Sequence, residues 1–345
     1  MYLKISVILF LGILMSACSS KESVVYKNPG KNFEPTFLEH MSLMWYFFTD
    51  DTEGKTPKEG EVPVVKLSKE DILNMPDESV VRLGHSTLLF KLDSKYLLVD
   101  PVFSQRISPV SFMGPKRFHK SPIDIQELPF IDILIISHNH YDHLDEYALD
   151  GLKDKVGHVY TALGLTQKLS DSGLDTKKIT ELDWWESKKD NSGISIVSTP
   201  AQHFSGRGLF DKNKTFLASW VIKSSKANIY YSADSGYMKE FKTIGEKFGP
   251  FDMSFVETGA YNKRWREVHM MPDEIVQAHI DLNAKIMFPV HNGTFELSTH
   301  PWREPFELVT KIAKEKGVKI THPMMGEIIP LLRYKDTREW WKYGL

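Results

Sequence analysis

The stretch "IDILIISHNHYDHLDEYAL", Ile131 to Leu149, decides how this chain is read. Its first six residues are apolar except for Asp132, the composition of a strand buried on both faces. Directly after Ser137 come His138, Asn139, His140, Tyr141, Asp142 and His143, three imidazoles and a carboxylate in quick succession. A strand that stops at Ser137 presents these groups on a loop at the sheet edge, held by a rigid scaffold. Imidazoles at i and i+2 can converge on one ion, and Asp142 and His143 can turn to a second. Neutral imidazole suits zinc and iron, and carboxylate adds a harder oxygen ligand. A solvated turn has no need of acid and base groups at this density beside an apolar strand.

Three further strand ends repeat the pattern. Ile194 to Ser198 leads to His203, Asn228 to Ser232 leads to Asp234 before Gly236, and Lys285 to Val290 leads to His291. Any one of these is ordinary as a cap or surface polar group; four polar strand ends together point to one site. Other expected strands are Val80–Leu83, Thr87–Leu92, Tyr96–Val99, Phe216–Ile222 and Met253–Val256. Amphipathic helices are expected over Asp145–Leu152, Leu163–Ser172, Glu240–Phe248, Pro272–Leu282 and Pro305–Lys316. Pro272 followed by Asp273 and Glu274 suits a helix start, where proline fits the first turn and acids complement the dipole. Runs of strands with intervening helices predict a two-sheet α/β sandwich better than a strict βαβ alternation. No internal repeat and no second domain is visible.

Composition sets the outer bounds. With 41% hydrophobic and 26% charged residues over 345 positions, the chain is an ordinary globular protein. A formal charge of −2 and the absence of a Lys/Arg block give no footprint for nucleic acid. The N-terminus is different: Met1–Lys4 is short and positive, Ile5–Leu14 is apolar, and small residues precede Cys18. The apolar core is too short for a spanning helix of about 20 residues, so residues 1–17 are expected to be a signal peptide. The residues around Cys18 resemble the lipobox of bacterial lipoproteins, with Met15 at the usual leucine position. Cys18 is the single cysteine, so the folded part has neither a disulfide nor a thiolate nucleophile. Residues 18–75, rich in Pro and Gly, are expected to form a tether and extension with one short helix near Met41–Phe48. The catalytic domain is expected over 76–335.

The motif His138-x-His140-x-Asp142-His143, followed in order by His203, Asp234 and His291, resembles the metallo-β-lactamase superfamily. Within it, four segments resemble bacterial relatives of N-acylphosphatidylethanolamine-hydrolysing phospholipase D: Leu83–Thr87, Asp100–Ser104, Thr199–Gly208, and Gly259-Ala260-Tyr261 with Arg264-Trp265. The likeness spans roughly residues 80 to 330. It implies an α/β fold of the αββα four-layer sandwich type and two divalent metal ions, zinc first and iron second. His138, His140 and His203 would hold one ion, Asp142, His143 and His291 the other, and Asp234 would bridge them. The implied reaction is phosphodiester hydrolysis by a hydroxide shared between the ions, with Asp142 passing a proton to the leaving alkoxide. The implied substrate is a phospholipid, and lipidated Cys18 would hold the enzyme to a membrane of the cell envelope, at the outer membrane or its periplasmic face.

The chain departs from the family at two places. Asn292 stands where tryptophan often follows the last metal histidine, and Glu257-Thr258 stand where Pro-x commonly precedes Gly259. His269 matches a family histidine near the substrate, or serves as a helix-entry residue. Arg207 contacts an anionic head group or caps a loop. His85 is expected as a buried hydrogen-bonding histidine beside the site. The alternatives are a lactonase on the same fold, which the export signal disfavours, and a non-catalytic envelope lipoprotein, which seven intact ligand positions disfavour.

Overall fold

Alternation along the strands separates the layers. In β10 (Asn228–Tyr231), Ile229 and Tyr231 point to one buried cluster and Tyr230 to another. In β11 (Met253–Glu257), Phe255 and Val256 divide the same way. This period of two is what a sheet covered on both faces requires. These details come from a computed structural model, which describes residues 26, 28–30, 33–208 and 211–343. The expected signal segment and Cys18 lie outside the described residues.

The first sheet has the order β13-β1-β2-β3-β4-β5-β6, and the second β12-β11-β10-β9-β8-β7. In the first, β1 (Ser79–Gly84), β2 (Thr87–Leu92) and β3 (Lys95–Val99) form an antiparallel meander. Parallel strands β4 (Ile131–Ile136), β5 (Val156–Ala162) and β6 (Ile179–Leu182) extend it, and β13 (Ile328–Pro330) closes its other edge against β1. In the second, β10, β11 and β12 (Met287–Val290) run parallel. β7 (Ser187–Lys189), β8 (Ser195–Thr199) and β9 (Ser219–Lys223) are antiparallel. The sheets face each other through Phe90 and Phe255, whose rings meet edge-on at 5.1 Å.

Helices cover both outer faces. On the first sheet, α3 (Glu146–Leu152) and α4 (Thr166–Asp171) bury Leu149, Leu152 and Leu169 in the strand cluster. On the second, α5 (Glu240–Phe248), α6 (Pro272–Asp281) and α7 (Glu304–Glu315) bury Phe241, Ile275 and Val309 against Tyr230 and Val256. The αββα four-layer sandwich is thus present, in a single domain.

Two features precede β1: α1 (Phe37–Thr49), which contains the helix expected near Met41, and the short α2 (Lys69–Leu73). Packing begins before the expected boundary at residue 76, because Val62, Leu67 and Ile72 are already buried. It continues beyond 335, where Trp340 and Trp341 join Trp302 and Phe306 in one cluster. Strands β5, β6, β7 and β13 were not expected from the sequence. β6 and β7 lie at sheet edges and are largely polar, so they lack the apolar run that marks a buried strand. β13 is only three residues long.

Candidate metal centre

All the polar strand ends meet at one rim of the sandwich. The loop after β4 brings His138, His140, Asp142 and His143. β8 leads to His203, β10 to Asp234 and β12 to His291, while the β1–β2 tip adds His85. Carboxyl ends of parallel strands are where open α/β sheets place ligands. Two groups of four hold the expected ligands, His138–His140–His203–Asp234 and His85–Asp142–His143–His291, and a third, Asp234–Glu257–His269–His291, overlaps them; each has its ligand atoms within 4.8 Å of one another. Asp234 touches both of the first two. Its Oδ2 lies 3.9 Å from His138 Nε2, 3.8 Å from His203 Nε2 and 3.2 Å from His291 Nε2, and its Oδ1 lies 3.0 Å from His143 Nε2.

These residues fit cations better than they fit one another. His140 Nδ1 stands 3.0 Å from His138 Nε2 and 3.3 Å from His203 Nε2. One ring nitrogen cannot satisfy both as hydrogen bonds. Tetrahedral zinc with Zn–N distances of about 2.0–2.1 Å would instead set its ligand atoms about 3.3 Å apart. Among the described residues, buried His143 Nε2 and Asp234 Oδ1 have no aligned hydrogen bond, and His85 Nδ1 and His291 Nδ1 have no partner. A bound ion would supply the partner that the first pair lacks.

A second ring of contacts fixes which nitrogen faces inward. His203 Nδ1 donates to the carbonyl of Val268 at 2.9 Å, which leaves its Nε2 free as a lone pair. Buried Asp100 does the same for one histidine of each group. Its Oδ2 accepts from His143 Nδ1 at 2.7 Å and from Ser137 Oγ at 2.6 Å. The Ser137 hydroxyl in turn accepts from His138 Nδ1 at 2.9 Å. Asp100 was not singled out as a site residue from the sequence, although it opens the Asp100–Ser104 segment. Its signal was a carboxylate directly after an apolar strand, the same as that of Asp234.

Charge follows the same logic. Burial depresses His138 and His203 well below the usual imidazole range, and His140 to about 4, so these three are neutral and ready to coordinate. Burial alone would raise the carboxyls of Asp142 and Asp234, yet the neighbouring histidine charges hold both well below their usual range. Burial likewise opposes a proton on His143 and His291. The facing carboxylates overcome it, keeping His143 well above the usual range and His291 up to about 10. Two buried carboxylates thus demand positive charge, which protons supply when no metal is bound.

The remaining expected residues sit as follows. His85 is buried and touches Asp142 Oδ2 through Nε2 at 3.0 Å, with its backbone N–H on Thr294. His269 lies beside His203 and His291, its Nδ1 2.9 Å from Glu257 Oε2. Arg207 is committed to the ligand loop. It donates to the carbonyls of Asn139 and Leu144 and to Glu146, and it stacks on Tyr141. Those bonds belong to the loop-holding alternative, and none reaches toward the histidine cluster.

The two departures from the family pattern have structural counterparts that sequence reading did not anticipate. Glu257 is buried and accepts from Met270 N as well as meeting His269, and burial beside Asp234 pushes its carboxyl well above the usual range. Asn292 anchors buried Arg82, which donates to Asn292 Oδ1 at 3.0 Å, to its carbonyl at 2.6 Å and to the His85 carbonyl at 2.7 Å. A charged residue inside the apolar run Val80–Leu83 was the available signal for Arg82.

The family model described as "Beta-lactamase superfamily domain" matches residues 95–292. The chain belongs to the metallo-β-lactamase superfamily. Among curated relatives, N-acyl-phosphatidylethanolamine-hydrolyzing phospholipase D 1 of Caenorhabditis elegans is 34% identical over 283 residues, covering 77% of this chain and 80% of that one. The outer membrane protein RomA of Klebsiella pneumoniae is 50% identical over 100 residues, 29% of this chain and 75% of that one. Among solved structures, the Igni18 metallo hydrolase of Ignicoccus hospitalis superposes with a TM-score of 0.56 at 19% identity, over 73% of this chain and 97% of that one. That likeness concerns the fold. Family and His/Asp cluster together make the chain a metal-dependent hydrolase.

Proposed function

We propose that this hydrolase cleaves the phosphodiester of an N-acylphosphatidylethanolamine-type phospholipid, releasing phosphatidic acid. The observation that carries the reading is the 34% identity, across 80% of its length, to a C. elegans enzyme named for that reaction. The site is chemically consistent with it. His138, His140 and His203 would hold one ion, Asp142, His143 and His291 the second, and Asp234 both. Two divalent ions held there supply Lewis acidity and a nucleophile derived from water at neutral pH. That suits a phosphodiester, whose non-bridging oxygens gain charge as the leaving alkoxide departs. Asp142 is the proton carrier of this reading: its side chain is 13% exposed, while His85, His143 and His291 beside it are at most 1% exposed. His269, held by Glu257 beside His203 and His291, is the substrate contact of this reading.

The setting agrees with an envelope enzyme. RomA, which matches part of this chain, is named as an outer membrane protein. Among the described residues no helix is long and apolar enough to cross a membrane. Attachment through a lipidated Cys18 belongs to this proposal and rests on the lipobox-like residues around it. The deciding experiment offers purified protein N-acylphosphatidylethanolamine, plain phosphatidylethanolamine, bis-p-nitrophenyl phosphate and an acyl-homoserine lactone. Release of phosphatidic acid, abolished in Asp142→Asn, is the expected result. Lactone opening without phosphodiester cleavage would refute the reading.

A further inference from the structure

Helix α1 presents its faces the wrong way round for a surface helix in water. Its inward contacts are mixed: Tyr46 reaches Thr299 and Asn262, Arg264 stacks on the Tyr46 ring at 4.2 Å, and half-buried Leu43 lines a cavity with Arg264. Its outer side carries Phe37, Leu38, Met41 and Trp45, exposed by 77%, 78%, 49% and 72%. Residues 37, 41 and 45 recur every four positions and therefore share one stripe. An amphipathic helix ordinarily turns such a stripe to the core. Here it faces outward.

A second apolar element stands nearby. Phe112 and Met113, 75% and 62% exposed, lie on the loop between β3 and β4. Helix and loop share the rim of a cavity of about 970 Å³, to which α1 contributes Phe47 and the loop contributes Gly114. Arg106, Lys116, Arg117 and Lys120 line the same cavity, and none of them has an ion-pair partner among the described residues. Arg117 is buried, and its Nη1 has no hydrogen-bond partner among the described residues. The acids on the wall are Glu59 and Glu296, the latter 3.6 Å from Lys55. Phe118 and Glu296 also line the smaller cavity that contains His291, so the cationic cavity adjoins the metal cluster.

We infer that this face docks on an anionic phospholipid bilayer. The α1 stripe and Phe112–Met113 enter the acyl boundary, and the exposed Lys116 and Lys120 meet head-group phosphates. Exposed apolar surface rimmed by polar groups marks an interaction site. A helix with an apolar outer face together with basic residues is the chemistry of an anionic membrane surface. The chain ahead of α1 is held on the domain at Tyr26, whose N–H donates to the Asn213 carbonyl at 3.0 Å, so an anchor at Cys18 lies within about 28 Å of that point even when the intervening residues are extended. The inference rests on the phospholipid reading and adds to it where the bilayer sits.

The test uses the full chain in vesicles whose acyl chains carry bromine, a contact quencher of tryptophan. Since the chain has 8 tryptophans, the Trp45 signal is the difference between wild type and Trp45→Phe. The expected result is a blue-shifted Trp45 emission quenched by the bromolipid. Quenching should be stronger with phosphatidylglycerol present than in pure phosphatidylcholine, and Lys116→Glu with Lys120→Glu should remove that difference. A Trp45 signal that stays solvent-like and unquenched overturns the inference. So does a Trp45 shielded by self-association, detected as a dimer in sedimentation equilibrium and unaffected by bromolipid. Phospholipid cleavage by the wild type is scored in the same vesicles. Cleavage without Trp45 quenching sinks the docking face alone, and quenching without cleavage sinks the substrate reading alone.

Discussion

Replacing Asp100 by asparagine tests how the centre is held together. Asp100 accepts four hydrogen bonds: Oδ1 from Ser137 N at 2.8 Å, and Oδ2 from Ser137 Oγ, Tyr231 Oη and His143 Nδ1 at 2.6, 2.5 and 2.7 Å. An amide is nearly the same shape but offers one oxygen. If its NH₂ takes the Oδ1 position, it faces the Ser137 N–H; if it takes the Oδ2 position, it faces three donors. At least one buried donor loses its partner, at about 1–3 kcal/mol. The negative charge behind His143 is lost as well. Because Asp100 also orients His138 through Ser137, affinity should fall in both metal groups, by about 10- to 100-fold for a partner of this kind. Chelator competition reads the metal affinity, and urea denaturation of the metal-free protein reads the stability. If the variant lost stability as expected but bound both ions with unchanged affinity, the assignment of Asp100 as the orienting group would be wrong.

Four further outcomes are expected. Burial lowers His279 to about 4 and His322 to about 3, and neither belongs to the metal cluster. In the unfolded chain these rings regain a value of about 6.5, so the unfolded state binds the extra protons, and stability present above that pH is lost on acidification. At pH 5 the loss is about 2 kcal/mol per ring, and His322→Gln should remove one share, as read from urea midpoints at pH 5 and 7.5. Gly259→Ala would place a Cβ 2.2 Å from the His291 carbonyl, so it should cost about 1–3 kcal/mol and lower metal content, measured by elemental analysis. Asp234→Asn should weaken both ions together, whereas His203→Ala should mainly empty the His138–His140 group; metal titrations that found both variants losing one ion would contradict a shared Asp234. Glu257→Leu should strand Met270 N and His269 Nδ1, reducing turnover with metal content retained, while Glu257→Gln recovers much of the rate.

Much of the site was legible because its ligands follow strands whose apolar runs are unmistakable. Ile131–Ile136 before His138, and Lys285–Val290 before His291, carry their own signal of a buried strand meeting a polar turn. Edge strands such as β7, Ser187–Lys189, carried none, being fully exposed and polar. Glu257 and Asn292 were visible only as departures from a family pattern. Their meaning lay in partners distant in sequence, His269 for one and Arg82 for the other. For Arg207 the sequence allows a head-group contact or a loop cap, and its hydrogen bonds go to the carbonyls of the ligand loop.

Local order in the chain determined which residue types stand at strand ends, and with them the two-sheet class, the metal chemistry and the absence of a thiol mechanism. Tertiary structure alone decided which nitrogen of each imidazole faces the ions, because Asp100, Ser137 and Val268 set this from other strands and loops. It alone also turned the apolar stripe of α1 outward. Periodicity in a sequence fixes that a helix has two faces; only packing against Arg264, Asn262 and Thr299 determines which face meets the protein.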